Sequence, residues 1–237
     1  MSRSATGNRM LDAIPASEFE SIRPALYEVA LASGEILNRP GERIATIYFP
    51  TGCVLSVVTV MQNGDAVEIG TYGREGMNGA AVVLGSASMP SQMLCQVPGT
   101  SLALPVEAFT AALAVNPVLD RLVRRYTRAL FNFMGQSVAC NRLHETLERC
   151  ARWLALTRDR VGADEFALTQ EFLAMMLGVH RPSVSVAAAA LQNAGFIKYA
   201  RGKVTVLDPP GLESVACECY RIGADEFERA LQTAAAR

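Results

Sequence analysis

Around residue 180 the sequence gathers side chains that donate hydrogen bonds or carry positive charge: His180, Arg181, Ser183 and Ser185. An arginine can bond guanine O6 and N7 with both arms of its guanidinium, while hydroxyls and imidazole suit phosphates or base edges. That chemistry needs a helix end to carry it into a groove, and the flanking residues encode one. Thr169 reads as an N-cap, with Gln170, Glu171 and Phe172 in the first turn of a helix. Phe172, Leu173, Met176 and Leu177 give that helix an apolar face, and Ala174 is small where two helices must cross. Gly178 sits at a reversal that favours positive φ, Val179 can plug the turn, and His180 can cap the next helix. Pro182 falls in the first turn of that helix, where its missing N–H costs nothing. Val184, Ala188 and Leu191 then face inward. Two short helices about a glycine turn make a helix-turn-helix, whose second helix can enter the major groove by its N-terminal end.

The residues C-terminal to this motif support it. Ala194-Gly195-Phe196-Ile197 ends the second helix, and Ile197–Tyr199 and Val204–Leu207 read as two strands about a turn at Arg201-Gly202-Lys203. This is a β-wing carrying Lys198, Arg201 and Lys203. From Thr169 to Val206 the only acid is Glu171, so a chain of formal net charge −1 carries one locally cationic face. The residues expected to contact DNA are Thr169, Gln170, His180, Arg181, Ser183, Ser185, Lys198, Arg201 and Lys203. The competing reading is an ordinary helical hairpin with a solvated basic turn, and the attached wing argues against it.

Other chemistry is sparse. Cys140 and His144 stand four apart on an expected helix and could face one metal, but Cys150 is too far along to join them. A packed cysteine and a surface histidine explain them more simply. Cys217-Glu218-Cys219 is a C-x-C with no evident partner cluster, so no metal site and no cofactor is assigned. For an enzyme, a nucleophile with a base is missing: the chain has two histidines, and no Gly-x-Ser-x-Gly, P-loop or dinucleotide fingerprint occurs.

The elements that must position the basic face can be read from composition and period. At 237 residues, half apolar and 19% charged, the chain fits two modest globular domains. No apolar run is long enough to span a membrane, Met1 to Asn8 lacks the character of a signal peptide, and the six scattered cysteines suit reduced thiols. A cytoplasmic protein is expected. After a helical lead-in from Met10 to Pro24, β-branched runs at Ile44–Phe49, Val54–Met61 and Ala66–Tyr72 alternate with turn signals. Asn63-Gly64 predicts a hairpin, and Leu94–Val97 with Ser101–Leu104 predicts a further strand pair about Pro98-Gly99. Residues 34–104 thus read as a small barrel or roll. Val106–Leu113 reads as a short helix, and a long one runs from Pro117 to Asn141 with Leu119, Leu122, Val123, Tyr126, Leu130, Phe133, Met134 and Val138 on one face. Such a helix either spans between domains or forms the seam of a dimer, and the seam is the favoured reading. Leu143–Arg158 reads as another helix.

In this order the elements resemble the family of the catabolite activator protein and the fumarate-nitrate regulator. The resemblance covers about residues 10–210 and is most specific over Thr169–Ile197, at Leu177-Gly178-Val179-His180-Arg181 and Val184. Gly34-Glu35-Ile36-Leu37, Pro40-Gly41-Glu42 and Tyr48-Phe49-Pro50 resemble the family's early strands and turns. It implies an α+β fold with a cyclic-nucleotide-binding-like β-roll at residues 1–116, a dimerisation helix at 117–141 and a winged helix DNA-binding domain at 142–237. It also implies a homodimer on double-stranded DNA with an approximately palindromic operator, regulated by an effector and with RNA polymerase as a further partner. Two departures stand out. Where family members that bind cyclic nucleotides carry Gly-Glu and Arg-Ser/Thr pairs, this chain has Gly79-Ala80 and Ser91-Gln92. Without an arginine a buried cyclic phosphate lacks charge compensation, so cyclic AMP is not the expected effector. Arg74, Glu75, Asn78, Gly79, Ser91 and Gln92 mark the expected ligand pocket. In the recognition helix, Pro182 and Val186 replace the glutamate and second arginine of the family's prototype, so only Arg181 carries over. The oxygen-sensing branch's cluster has no counterpart, since no cysteine precedes Cys53. The alternative function is a ligand-binding signalling module whose C-terminal domain contacts protein.

Overall fold

The computed structural model describes residues 5–232, so the first four residues of the polar N-terminal segment lie outside it. Two short helices, α1 (Arg9–Asp12) and α2 (Ala16–Ile22), lead into the strands. Asn8 caps α1, and its side-chain amide donates to the carbonyls of Pro50 and Gly76, both at 2.9 Å, pinning this lead-in to the strands. Next come strands β1 (Tyr27–Leu31), β2 (Ile36–Asn38), β3 (Thr46–Pro50), β4 (Val54–Val60), β5 (Ala66–Tyr72), β6 (Gln92–Val97) and β7 (Gly99–Pro105), with helix α3 (Ala80–Val83) before β6. They make two antiparallel sheets, β1-β7-β3 and β2-β6-β4-β5, closed over Ile47, Phe49, Leu55, Met93 and Leu104.

The Asn63-Gly64 hairpin forms, but with a three-residue loop: Met61 N–H returns to the Asp65 carbonyl at 2.7 Å, and Gly64 takes positive φ at +89° while Asn63 does not. The strand pair expected about Pro98-Gly99 does not form, because β6 and β7 belong to different sheets. Pro98-Gly99 is a corner. A Cβ at Gly99 would lie 2.5 Å from the Gly52 carbonyl oxygen, so the chain crosses there by backbone approach. The partners that β6 and β7 take instead include β1 and β2, which lack a clear apolar alternation.

Helix α4 (Val106–Val115) precedes α5 (Pro117–Leu143), which begins with proline in its first turn. The expected helix from Leu143 starts instead at Thr146, as α6 (Thr146–Val161), because Glu145 and Glu148 form a reciprocal capping box that breaks the chain at His144. The apolar row of α5 from Leu119 to Phe133 is buried within the chain itself. Helical periodicity marks a face to be covered but not what covers it; here the β-roll and the C-terminal helix do so. Val138, assigned to that face from the sequence, points outward, and so do Phe131 and Leu84, each more than 70% exposed.

Beyond α6 come β8 (Glu165–Ala167), α7 (Gln170–Leu177), α8 (Arg181–Asn193), β9 (Ile197–Ala200), β10 (Lys203–Val206), α9 (Pro209–Val215) and α10 (Cys219–Leu231), with the strands ordered β8-β10-β9. Helix α10 returns along α5, its Phe227 ring 5.6 Å from Tyr126 and 5.5 Å from Phe133. Its start brings Cys217 and Cys219 to Cys140 and His144, so two pairs that the sequence reading kept apart share one cluster. The fold is α+β: a β-roll, a long helix and a winged helix-turn-helix. No single helix among the described residues is long and apolar enough to cross a membrane.

Candidate nucleic-acid interface

Helices α7 and α8 cross at 109°, within the range of a helix-turn-helix. Thr169 caps α7 by accepting the Phe172 N–H at 3.1 Å. Gly178 ends it in the left-handed region at φ +62°, and Val179 N–H returns to the Ala174 carbonyl at 3.0 Å. His180 occupies the N-cap position of α8, but its side chain makes no capping bond; Pro182 lies in the first turn. The buried face of α8 is Val184, Ala187, Ala188 and Leu191. His180, Arg181 and Ser183 remain exposed at its N-terminal end, and Arg181 has no salt bridge among the described residues.

Other expected contact residues are partly engaged within the protein. The Thr169 hydroxyl is the cap just described. Ser185 Oγ donates to Gln170 Oε1 at 2.8 Å, holding the starts of α7 and α8 together. In the wing, Arg201 at φ +51° and Gly202 at φ +73° make the two-residue turn between β9 and β10, and both Lys198 and Arg201 are exposed. Lys203 Nζ lies 2.8 Å from Glu165 Oε1, and this pairing with Lys203 holds the Glu165 carboxyl below its usual range. The sequence count of acids began at Thr169 and so missed Glu165, which the β8–β10 pairing brings alongside the wing.

The β-roll touches this reading head directly. The tip of the β4–β5 hairpin, with Met61, Gly64 and Asp65, shares a cleft with Met175, Gly178 and His180, and a Cβ at Gly178 would meet Val67 at 3.3 Å. A second junction lies deeper. Arg160 of α6 pairs with Glu75 of the β5–α3 loop at 3.1 Å, both side chains 7% exposed. Its guanidinium also stacks 5.1 Å from the Phe133 ring and 5.8 Å from that of Phe227. The loop comes this close only because it lacks Cβ atoms: one at Gly73 would sit 2.3 Å from Arg160 Cβ, and one at Gly76 1.9 Å from the Tyr126 ring. Trp153 Nε1 of α6 meets Glu68 Oε1 of β5 at 3.3 Å, and burial pushes the Glu68 carboxyl up to about 7 against the pull of Ser56, Arg160, Trp153 and Arg152.

The six expected ligand-pocket residues do not converge on one cavity. Arg74 and Glu75 border a cleft of about 290 Å³ between the β-roll, α6 and α10. Asn78 accepts the Tyr48 N–H at 2.6 Å and donates to the Thr46 carbonyl at 3.3 Å, bracing β3. Gly79 ends the loop before α3, Ser91 Oγ faces Thr59 Oγ1 at 3.3 Å, and Gln92 lies on β6. An open, apolar groove of about 500 Å³ runs between α3 and α5, lined by Val83, Leu84, Thr127, Arg128, Phe131 and Met134 among others, and includes none of the six. Of its lining only Leu130 and Met134 belong to the apolar row read from the sequence; Val83, Leu84 and Phe131 reach the groove only through the packing of α3 on α5.

Comparison with known proteins agrees with this geometry. Residues 148–215 match the Crp-like helix-turn-helix domain. No curated protein matches the chain in sequence. Among solved structures, FixK2 from Bradyrhizobium japonicum is similar at a TM-score of 0.68 and 13% identity, covering 81% of this chain and 98% of its own. A CRP family transcriptional regulator from Thermus thermophilus is 21% identical at a TM-score of 0.60, covering 79% and 96%. The c-di-GMP responsive global regulator CLP of Xanthomonas campestris is 13% identical at a TM-score of 0.62, covering 81% and 99%. The chain thus carries a Crp-like helix-turn-helix domain and shares the fold of these regulators.

Proposed function

We propose that the chain is a sequence-specific, non-enzymatic transcription regulator that acts in the cytoplasm as a homodimer on double-stranded DNA. The observation that carries this is the open N-terminal end of α8, with Arg181, free of salt bridges among the described residues, beside His180 and Ser183, in a Crp-like domain whose wing adds Lys198 and Arg201. Arg181 is the base-reading residue, suited to guanine; Ser183, His180 and the wing cations position the helix on phosphates. Gln170 and Ser185 hold the two helices in register and flank the same surface. Two copies would join through the outward face of α5, where Phe131 and Val138 stand a helical repeat apart and Leu84 borders the groove beside them. A two-fold dimer then reads a roughly palindromic operator with half-sites about 10 bp apart. RNA polymerase is the expected partner at promoters.

Regulation fits the contacts between the β-roll and the reading head. An effector other than cyclic AMP, taken up by the β-roll beside α5, would act through the β4–β5 hairpin on the α7–α8 turn and so change the spacing of the two recognition helices. The test is selection of bound sequences from a random duplex library, with wild type and Arg181→Ala. Enrichment of a two-fold-symmetric site, with preference lost at one base per half-site in the variant, is expected. No enrichment, repeated with cell metabolites present, would refute the proposal.

A further inference from the structure

The last turns of α5 and the link from α9 to α10 hold a compact group of metal-ligating side chains that DNA reading does not use. Cys140 and His144 lie one helical turn apart, His144 being the residue at which α5 ends. Cys217 and Cys219 approach from the extended corner after α9 and the start of α10. Cys140 Sγ is 3.5 Å from Cys217 Sγ, and Cys219 Sγ is 3.6 Å from His144 Nδ1. All four donor atoms fall within 4.8 Å of one another, and the three cysteines are buried. A tetrahedral zinc with Zn–S near 2.3 Å and Zn–N near 2.0 Å sets its ligands about 3.5–3.8 Å apart. The Cys140–Cys217 and Cys219–His144 separations lie at that spacing.

The surroundings are those of a ligand set. His144 Nε2 stands 3.1 Å from Glu218 Oε2, an outer carboxylate that turns the Nδ1 face of the ring toward the sulfurs. Gln136 donates its side-chain N–H to Cys219 Sγ at 3.1 Å. Three thiolates and one imidazole around a divalent ion leave one net negative charge. Arg149 and Arg152, buried on the helix that follows His144, have no salt bridge among the described residues. An iron–sulfur cube is a poorer fit, because its four ligands sit on four different irons and spread wider than one ion's coordination shell.

We propose that Cys140, His144, Cys217 and Cys219 bind one zinc ion, which clamps the end of the long helix to the segment after the wing. Four protein ligands leave no open position, so the ion is structural, and its entry displaces the thiol protons. The clamp sets the position of the DNA-binding domain against α5, and the site stands or falls independently of the DNA-reading proposal.

The experiment uses the full chain, purified under reducing conditions without chelator, with metals measured by mass spectrometry. About one zinc per chain is expected. Chelator-treated protein titrated with cobalt(II) should take up one equivalent, with the intense d–d bands of a tetrahedral site and thiolate-to-cobalt charge transfer, both lost on adding zinc. Cys219→Ser and His144→Ala should lower occupancy, Glu218→Gln should weaken zinc binding about 10–100-fold, and Cys150→Ser, outside the cluster, should change neither. Wild type that is metal-free as isolated and gives no tetrahedral cobalt spectrum overturns the proposal. Iron with inorganic sulfide, or a Cys140–Cys217 disulfide that excludes metal, also overturns it. Should the ligand variants fail to fold, the wild-type cobalt titration still decides.

Discussion

Arg160 is the residue whose loss should be felt most widely, because it joins the β5–α3 loop, α5, α6 and α10 at one buried point. Replacing it with Met keeps much of the apolar stem and removes the charge. Among the described residues the Glu75 carboxylate, 7% exposed, then keeps only the Gly73 N–H at 3.2 Å. Breaking a buried pair from one side costs about 3–5 kcal/mol. Loss of the stacking on Phe133 and Phe227 adds about 1 kcal/mol. In a chain of this size each kcal/mol moves the unfolding midpoint by about 2–4 °C, so Arg160→Met should lower it by roughly 10–20 °C. Glu75→Gln alone strands the guanidinium instead and should also destabilise. The double variant buries no charge, and it should be more stable than the sum of the singles predicts by at least about 1.5 kcal/mol. Calorimetry of the four proteins measures this directly. A shift below roughly 3 °C for Arg160→Met, or additivity within about 0.5 kcal/mol, would show that the pair does not hold the domains together.

Two further outcomes are expected. Burial raises the Glu68 carboxyl to about 7 from 4.5, so the folded chain keeps a proton there that the unfolded chain has released. Its effect on stability is therefore a loss that grows as pH rises from about 4.5 to 7 and is complete above that. Glu68→Gln should gain stability over wild type across this window, and the fluorescence of Trp153, the only tryptophan, should titrate near pH 7 in wild type and stay flat in the variant. On DNA, Arg201→Ala should weaken binding to all sequences alike and reduce the log–log salt slope by about 1, whereas Lys203→Ala should do less because Glu165 already faces that ammonium at 2.8 Å. Equal slopes for the two variants would contradict the wing geometry.

Local chemistry made the reading head legible in the sequence. Gly178 and Pro182 each have a narrow set of backbone positions they suit, and an apolar row between them identifies the helices they bound. The Asn63-Gly64 turn was readable for the same reason. What could not be read was the partner of each face. The row from Leu119 to Phe133 announces a surface to be covered, but the same period fits a second copy, a sheet or another helix, and only the fold shows that α10 lies there. The wing's charge was misjudged for a related cause: Glu165 sits outside the motif in sequence and beside it in the sheet. The four metal-ligating residues make the case most sharply. Each pair alone is too few ligands to distinguish from packed thiols and a surface imidazole. They gain meaning only when α10 returns along α5, and the aromatic contacts of Phe227 with Tyr126 and Phe133 help set that return. An ordinary piece of core packing thus controls whether the proposed zinc site exists, and with it how firmly the DNA-binding domain is held to the long helix.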